Sequence, residues 1–401
     1  MRKMRDSGIE WVGAIPQDWQ LSKIGNLYTQ RNEKVSDKDY QPLSVTMQGI
    51  LPQLATAAKT DDGDNRKLVR VGDFAINSRS DRRGSCGISP LDGSVSLINI
   101  ILTPRTAMHP GYYNWLFHTT LFADEFYKWG HGIVADLWTT RWQEMKSITV
   151  PVPEYAEQER IAAFLDAECA EIDAVLEKTR ASIEEYKKLK QAVITQAVTK
   201  GIRGDRPMKD SGIEWIGEIP AEWDVLNLVA HTSMLTPMRD RPENLDGPIP
   251  WVRIEDFEGK YIESSKAGLG VSMKTVKEMN LKVYPVGTIL CTSSCIMGKC
   301  AIVSRELVSN QRFIGIIPDR TTDKTYLYYL MTSNAERMNF LSTGALQANL
   351  SRSAFEHLKV QFPPYSEQQE IAAYLDDKCA DIDALVAKKQ QYLTEIENYK
   401  K

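Results

Sequence analysis

The sequence contains itself twice. Met4-Arg-Asp-Ser-Gly-Ile-Glu-Trp-Val-Gly-Ala-Ile-Pro-Gln-Asp-Trp19 returns 204 positions later as Met208-Lys-Asp-Ser-Gly-Ile-Glu-Trp-Ile-Gly-Glu-Ile-Pro-Ala-Glu-Trp223. A second matching pair opens at Tyr155 (Tyr-Ala-Glu-Gln-Glu-Arg-Ile-Ala-Ala-Phe-Leu-Asp166) and at Tyr365 (Tyr-Ser-Glu-Gln-Gln-Glu-Ile-Ala-Ala-Tyr-Leu-Asp376), 210 positions apart. An internal repeat of this length constrains the architecture more than any local pattern does, because each copy must fold to a similar unit. The second copy gains a few residues between its two anchors.

Each copy ends in a helix-forming stretch. Glu154 to Thr199 has no proline or glycine, and Ile161, Phe164, Leu165, Ile172, Val175, Leu176, Ile183, Tyr186, Leu189 and Val193 recur at three- and four-residue steps. That spacing predicts one amphipathic helix about 68 Å long. A second stripe passes through Ile382, Leu385, Val386, Leu393, Ile396 and Tyr399. Neither stripe can bury itself within its own helix, so the two are expected to pack on each other.

Composition sets the class. The 401 residues are 42% hydrophobic and 25% charged, ordinary for a globular protein of two or three cores. The longest uncharged apolar runs, such as Val95 to Pro104, are too short to span a bilayer, and no hydrophobic segment follows Met1 to Asp6, so the cytoplasm is the expected compartment. Six cysteines without a paired C-x-x-C spacing read as ordinary core thiols, and no metal is expected. Net charge is −4, which argues weakly against non-specific polyanion binding.

Between the anchors the framework repeats and the polar loops do not. Gly72-Asp-Phe-Ala-Ile-Asn77 parallels Gly287-Thr-Ile-Leu-Cys-Thr292, but Ser78-Arg-Ser-Asp-Arg-Arg-Gly84 faces Ser293-Ser-Cys-Ile-Met-Gly298. Duplicated catalytic sites would repeat their reactive residues. None of the five histidines recurs in the other half, no nucleophile elbow or phosphate loop is present, and Phe362-Pro-Pro-Tyr365 lacks the amine-binding side chain of the methyltransferase motif it superficially matches. No catalytic residue is expected. The pattern fits a two-headed reader; a purely protein-binding scaffold and an enzyme with an unrecognised site are the rivals.

The order of an Ile-Pro-x-x-Trp motif, a variable region and a Pro-x-Tyr-x-Glu-Gln-x-x-Ile-Ala helix, then the whole again, resembles the specificity subunit of Type I restriction-modification enzymes over almost the full length. The resemblance implies an α+β fold: two repeated mixed α/β target recognition domains joined by two long antiparallel helices, a coiled-coil-like spacer with pseudo-twofold symmetry. It implies four segments: residues 1–153 (motif and first target recognition domain), 154–203 (central spacer helix), 204–363 (repeated motif and second domain) and 364–401 (second spacer helix), the last departing from the family pattern by stopping short of its counterpart, which is expected to weaken one docking surface. It further implies a non-catalytic subunit that reads a bipartite site on double-stranded DNA and docks two methyltransferase subunits and, through them, restriction (translocase) subunits. No cofactor belongs to this chain; S-adenosylmethionine would sit in the methyltransferase, ATP and Mg in the restriction subunit. The helix starts are the expected docking surfaces, through Tyr155, Gln158, Ile161, Phe164 and Leu165 and through Tyr365, Gln368, Ile371, Tyr374 and Leu375.

DNA readout needs cationic and amide or hydroxyl side chains at base edges and phosphates. In the first copy the candidates are Arg79, Arg82 and Arg83 in one loop, Arg66, Lys67 and Arg70 as a second cluster, and Arg141. In the second they are Arg253, Ser293, Ser294, Lys299, Gln311, Arg312, Gln347, Asn349, Ser351 and Arg352. The aromatic run Tyr112 to Phe117 is expected to pack in the core rather than stack on bases.

Overall fold

A computed structural model describes residues 2–53, 63–132, 138–238, 240–294, 298–341 and 350–400. It divides into two compact units, Met1–Lys178 with Leu393–Lys401, and Thr179–Tyr392.

The first unit opens with a hairpin in which Met4–Asp6 pairs antiparallel with Ala14–Pro16. Gly8 and Gly13 turn it with φ of 70° and 67°, a left-handed conformation that glycine adopts without strain. A four-stranded antiparallel sheet follows, in the order Cys86–Ile88, Phe74–Asn77, Asn99–Pro104, Tyr28–Arg31. A three-stranded sheet (Gly93–Val95, Arg66–Val69, Lys34–Val35) accompanies it. The helices Pro110–His118 and Thr120–Lys128 supply an aromatic core with that sheet: Tyr112, Tyr113, Phe117, Phe122 and Phe126 are buried, and the rings of Phe117 and Phe74 lie 4.5 Å apart. Tyr112 to Phe117 therefore serves packing, as its spacing suggests.

The second unit has its own hairpin, Met208–Asp210 on Glu218–Pro220, with Gly212 and Gly217 both at φ 71°. Its sheet is five-stranded, in the order Thr232–Leu235, Phe313–Pro318, Ile289–Thr292, Cys300–Val303, Tyr261–Ile262, with only the last pair parallel. A three-stranded sheet (Gly270–Val271, Ile249–Val252, Val308–Ser309) lies in the same unit. The helix Lys324–Ser333 starts on Asp323, whose carboxylate accepts from the amides of Thr325 and Tyr326. Cys291 and Cys300 face each other across neighbouring strands in the core, and burial pushes the Cys291 thiol up. Cys295 lies outside the described residues.

The two long helices run Tyr155–Lys200 (46 residues) and Tyr365–Lys400 (36 residues). The first stops at Gly201, whose φ of 74° closes it. In the second unit the Lys190 ammonium pairs with Asp383 at 2.6 Å and Lys389 lies over the Tyr186 ring. One index rises as the other falls, so these segments are antiparallel. In the first unit Lys400 pairs with Asp173. Leu176 and Ile183 are buried as the stripe requires, but Phe164 is 63% exposed and Leu189 is exposed too. Adjacent helical residues point about 100° apart, so Phe164 cannot share the face of Leu165.

Candidate nucleic-acid interface

Antiparallel pairing decides which loops meet in the second unit. The end of Ile289–Thr292 and the starts of Cys300–Val303 and Phe313–Pro318 share one sheet edge, since Cys291 is opposite Cys300 and Thr292 opposite Phe313. The Thr292 amide donates to the Lys299 carbonyl (2.9 Å), the Ser293 amide to the Arg312 carbonyl (2.8 Å) and the Leu350 amide to the Ser293 carbonyl (2.9 Å). The Asn310 amide reaches the Val252 carbonyl, which brings Arg253 alongside. Behind the edge, Phe257 stacks on Phe313 at 5.1 Å, and the Lys299 ammonium lies 5.9 Å from the Phe257 ring. Arg253, Ser293, Ser294, Lys299, Gln311 and Arg312 are thus gathered, with Ser351 and Arg352 just beyond Leu350. Lys299, Gln311 and Arg312 are exposed there.

Several of these candidates have local work. Ser293 is buried and contributes chiefly backbone. Ser351 caps the helix Arg352–Glu356 by accepting from the Ala354 amide, and Arg352 pairs with Glu356 at 2.7 Å. Arg253 pairs with Glu255 at 3.1 Å. Gln347 and Asn349 lie outside the described residues.

The first unit builds a similar edge. Phe74–Asn77 ends in Ser78, and Ser80–Arg82 form one 3-10 turn. The Thr140 amide donates to the Ser78 carbonyl and the Ser80 amide to the Trp138 carbonyl, both at 3.0 Å, while Arg79 pairs with Thr139 across a β-bridge. Arg79, Arg82, Arg83 and Arg141 therefore converge. Asp81 lies 3.8 Å from Arg82, and Asp124 pairs with Arg83. Among the described residues no carboxylate pairs with the guanidinium of Arg79 or Arg141, though Glu144 accepts from the Arg141 amide.

The expected second cluster is not one surface. Arg66 is only 4% exposed and donates from Nε and Nη2 to the hydroxyl and carbonyl of Ser94. Lys67 donates to the Asn99 carbonyl at 2.7 Å. Burial pulls the pKa of both side chains down. Arg70 pairs with Asp92 at 3.5 Å, and its amide bonds Asp73 just before Phe74, at the opposite end of the strand from Arg79. Neighbours along the chain were split by the sheet: Arg66 is fixed by its pairing with the Gly93–Val95 strand region, and Arg70 by the turn.

The helix starts also need correction as docking surfaces. Gln158 and Gln368 are 4% and 2% exposed. Gln158 accepts from the His109 amide and donates to the Pro153 carbonyl; Gln368 accepts from the Asp323 amide and donates to the carbonyls of Pro363 and Thr321. Ile371 and Leu375 are core, and Ile161 and Leu165 are half-buried. Tyr155, Phe164, Tyr365 and Tyr374 remain exposed.

Sequence reasoning missed a duplicated clasp. Trp19 donates from Nε1 to Glu157 (3.1 Å), which also pairs with Arg2; Trp223 donates to Glu367 (3.0 Å), which pairs with Arg206 at 2.5 Å. Arg2 and Arg206 each lie over the tryptophan of their own clasp. The signal was available, since Arg2 and Arg206 keep the same offset as the hairpin motif.

Residues 224–395 match the family model of the Type I restriction modification DNA specificity domain. The chain also resembles Type I specificity subunits of Methanocaldococcus jannaschii. The MjaIX subunit is 36% identical over 173 residues (40% of this chain and 40% of the relative), and the putative MjaX subunit is 26% identical over 262 residues (64% and 58%). This chain thus spans about two fifths and under two thirds of those two relatives. The MjaVIII subunit is 22% identical over 96% of this chain and 91% of its own. The fold of this chain matches that of a protein solved in work on the assembly and conformational transition of the type I R-M system, with a TM-score of 0.75 and 14% identity over 96% of each chain. It also matches the HsdS subunit from Thermoanaerobacter tengcongensis, with a TM-score of 0.56 and 15% identity over 98% of each. No described helix is long and apolar enough to cross a membrane.

Proposed function

We propose that this chain is a non-catalytic DNA specificity subunit of a Type I restriction-modification system, and that each of its units reads one half of a bipartite site on double-stranded DNA. The observation that carries this is the shared plan of the two strand edges. A central strand ends in a serine whose carbonyl accepts an amide from a returning segment, Thr140 to Ser78 and Leu350 to Ser293. The side chains mounted on that plan differ: Arg79, Arg82 and Arg141 in one unit, Arg253, Lys299 and Arg312 in the other. Equal geometry with unequal donors suits two unrelated half-sites, because bases are told apart by the donors and acceptors set against their edges. With a net charge of −4, little sequence-independent attraction for phosphates is expected from the isolated chain.

The antiparallel helix pair acts as the spacer between the half-sites. Exposed Tyr155, Phe164, Tyr365 and Tyr374 dock methyltransferase subunits, which carry S-adenosylmethionine and in turn recruit ATP- and Mg-dependent restriction subunits. The complex works in the cytoplasm. Selection from random-sequence DNA, using the full chain co-expressed with its methyltransferase partner, tests the reading. Enrichment of two short motifs at a fixed separation is expected. Absence of any enriched sequence, or turnover by the chain alone, would sink it.

A further inference from the structure

Each unit ties its own short helix to a long helix at two points. The first is a buried glutamine. Gln158 accepts from the His109 amide (3.0 Å) at the start of Pro110–His118, and Gln368 accepts from the Asp323 amide (2.8 Å) at the start of Lys324–Ser333. The second is a carboxylate eight positions further along the long helix. Asp166 accepts from Trp115 Nε1 at 2.8 Å, and Asp376 accepts from the Tyr329 hydroxyl at 2.7 Å. One attachment is a pivot. Two attachments about 12 Å apart along a helix fix an angle as well as a position.

The second brace is the more elaborate. Lys260 also pairs with Asp376, and its ammonium lies 5.3–5.9 Å from the rings of Tyr261, Tyr328 and Tyr329. Burial and the Asp376 carboxylate together hold the Tyr329 hydroxyl protonated, so it remains a donor. Lys260 directly precedes the edge strand Tyr261–Ile262 of the five-stranded sheet. The brace therefore joins the long helix to both the short helix and the sheet that carries the reading edge.

We propose that Asp166 and Asp376 are positioning residues: each locks the angle of its own reading unit on the long helix, and together they fix the gap tolerated between the two DNA half-sites. The proposal rests on the bipartite-reading function given above. Loosening one brace leaves the pivot glutamine and the reading edge intact, so recognition of each half-site persists while their separation becomes variable.

The test uses the full chain assembled with its methyltransferase partner, selected on random-sequence DNA and then titrated on sites whose gap is lengthened or shortened by one base pair. For the unaltered chain one gap is expected to dominate. In Asp376→Ala, discrimination between that gap and its neighbours is expected to fall about tenfold with both half-site sequences unchanged. Asp376→Asn keeps an acceptor for Tyr329 and is expected to recover most of the discrimination. Asp166→Ala, at an exposed position where folding is not at stake, is expected to show the same loosening to a smaller degree. An unchanged gap preference in both alanine variants overturns the brace while leaving bipartite reading intact, as does altered half-site sequence with the gap kept. Failure of the unaltered chain to enrich two spaced motifs overturns the bipartite reading and the brace with it.

Discussion

Glu157 and Glu367 do the same job in different surroundings. The Glu367 side chain is 2% exposed and that of Arg206 is 10%, whereas Arg2 at Glu157 is 44% exposed. Removing one member of a buried pair strands the other, a cost of about 3–5 kcal/mol. Glu367→Ala is therefore expected to lower stability by that amount in urea denaturation, and Glu157→Ala by clearly less. The Arg2 hydrogen bond holds the Glu157 carboxyl below its ordinary value of 4.5. A carboxyl depressed in the folded state stabilises fully above its unfolded pKa and loses that stabilisation as pH falls through the folded one. Below about pH 4.5 the melting temperature of the unaltered chain should drop more steeply than that of Glu157→Gln. At the proposed reading edge, Arg79 and Arg141 lack, among the described residues, carboxylate partners like those of Arg82 and Arg83, so Arg79→Ala should cost about 1–3 kcal/mol of site binding and relax one base position. Arg70→Ala, at the other end of the strand, should leave the selected sequence unchanged. The sequence marked the arginine loop but misjudged Arg66, Gln158 and Gln368. Each is a polar residue whose partner is a backbone group or hydroxyl far along the chain, and no local pattern announces such a partner.

At the scale of elements, legibility followed how local the cause was. The long helices stood out because 46 residues without proline or glycine leave few alternatives. The hairpins were not read from the sequence, although their glycines recur in both copies where φ is positive. Two-residue strands such as Lys34–Val35 and Tyr261–Ile262 could not be read, since they exist only through pairing with Arg66–Val69 and Cys300–Val303. The helix pair makes its own prediction. Adding one turn to Tyr155–Lys200 with a matching turn in Tyr365–Lys400 should lengthen the recognised gap and preserve both half-sites, as read by sequence selection. A change in half-site sequence with a constant gap would remove the helices as the spacer.

At the scale of the whole chain, duplication explains why framework and chemistry diverge. The clasp, the pivot glutamine and the carboxylate brace occur in both units with the same helix-register spacing, while the side chains of the reading edges do not correspond. Retained attachments and freed edges are what two independent readers on a common mount require. Independence is also the property most open to measurement. Sequence selection on the methyltransferase-bound chain should be run for Arg79→Ala and for Arg312→Ala side by side. Two-headed reading predicts that each substitution blurs a different half-site and leaves the other at full information. Blurring of the same half-site by both, or of both half-sites by either, would contradict it.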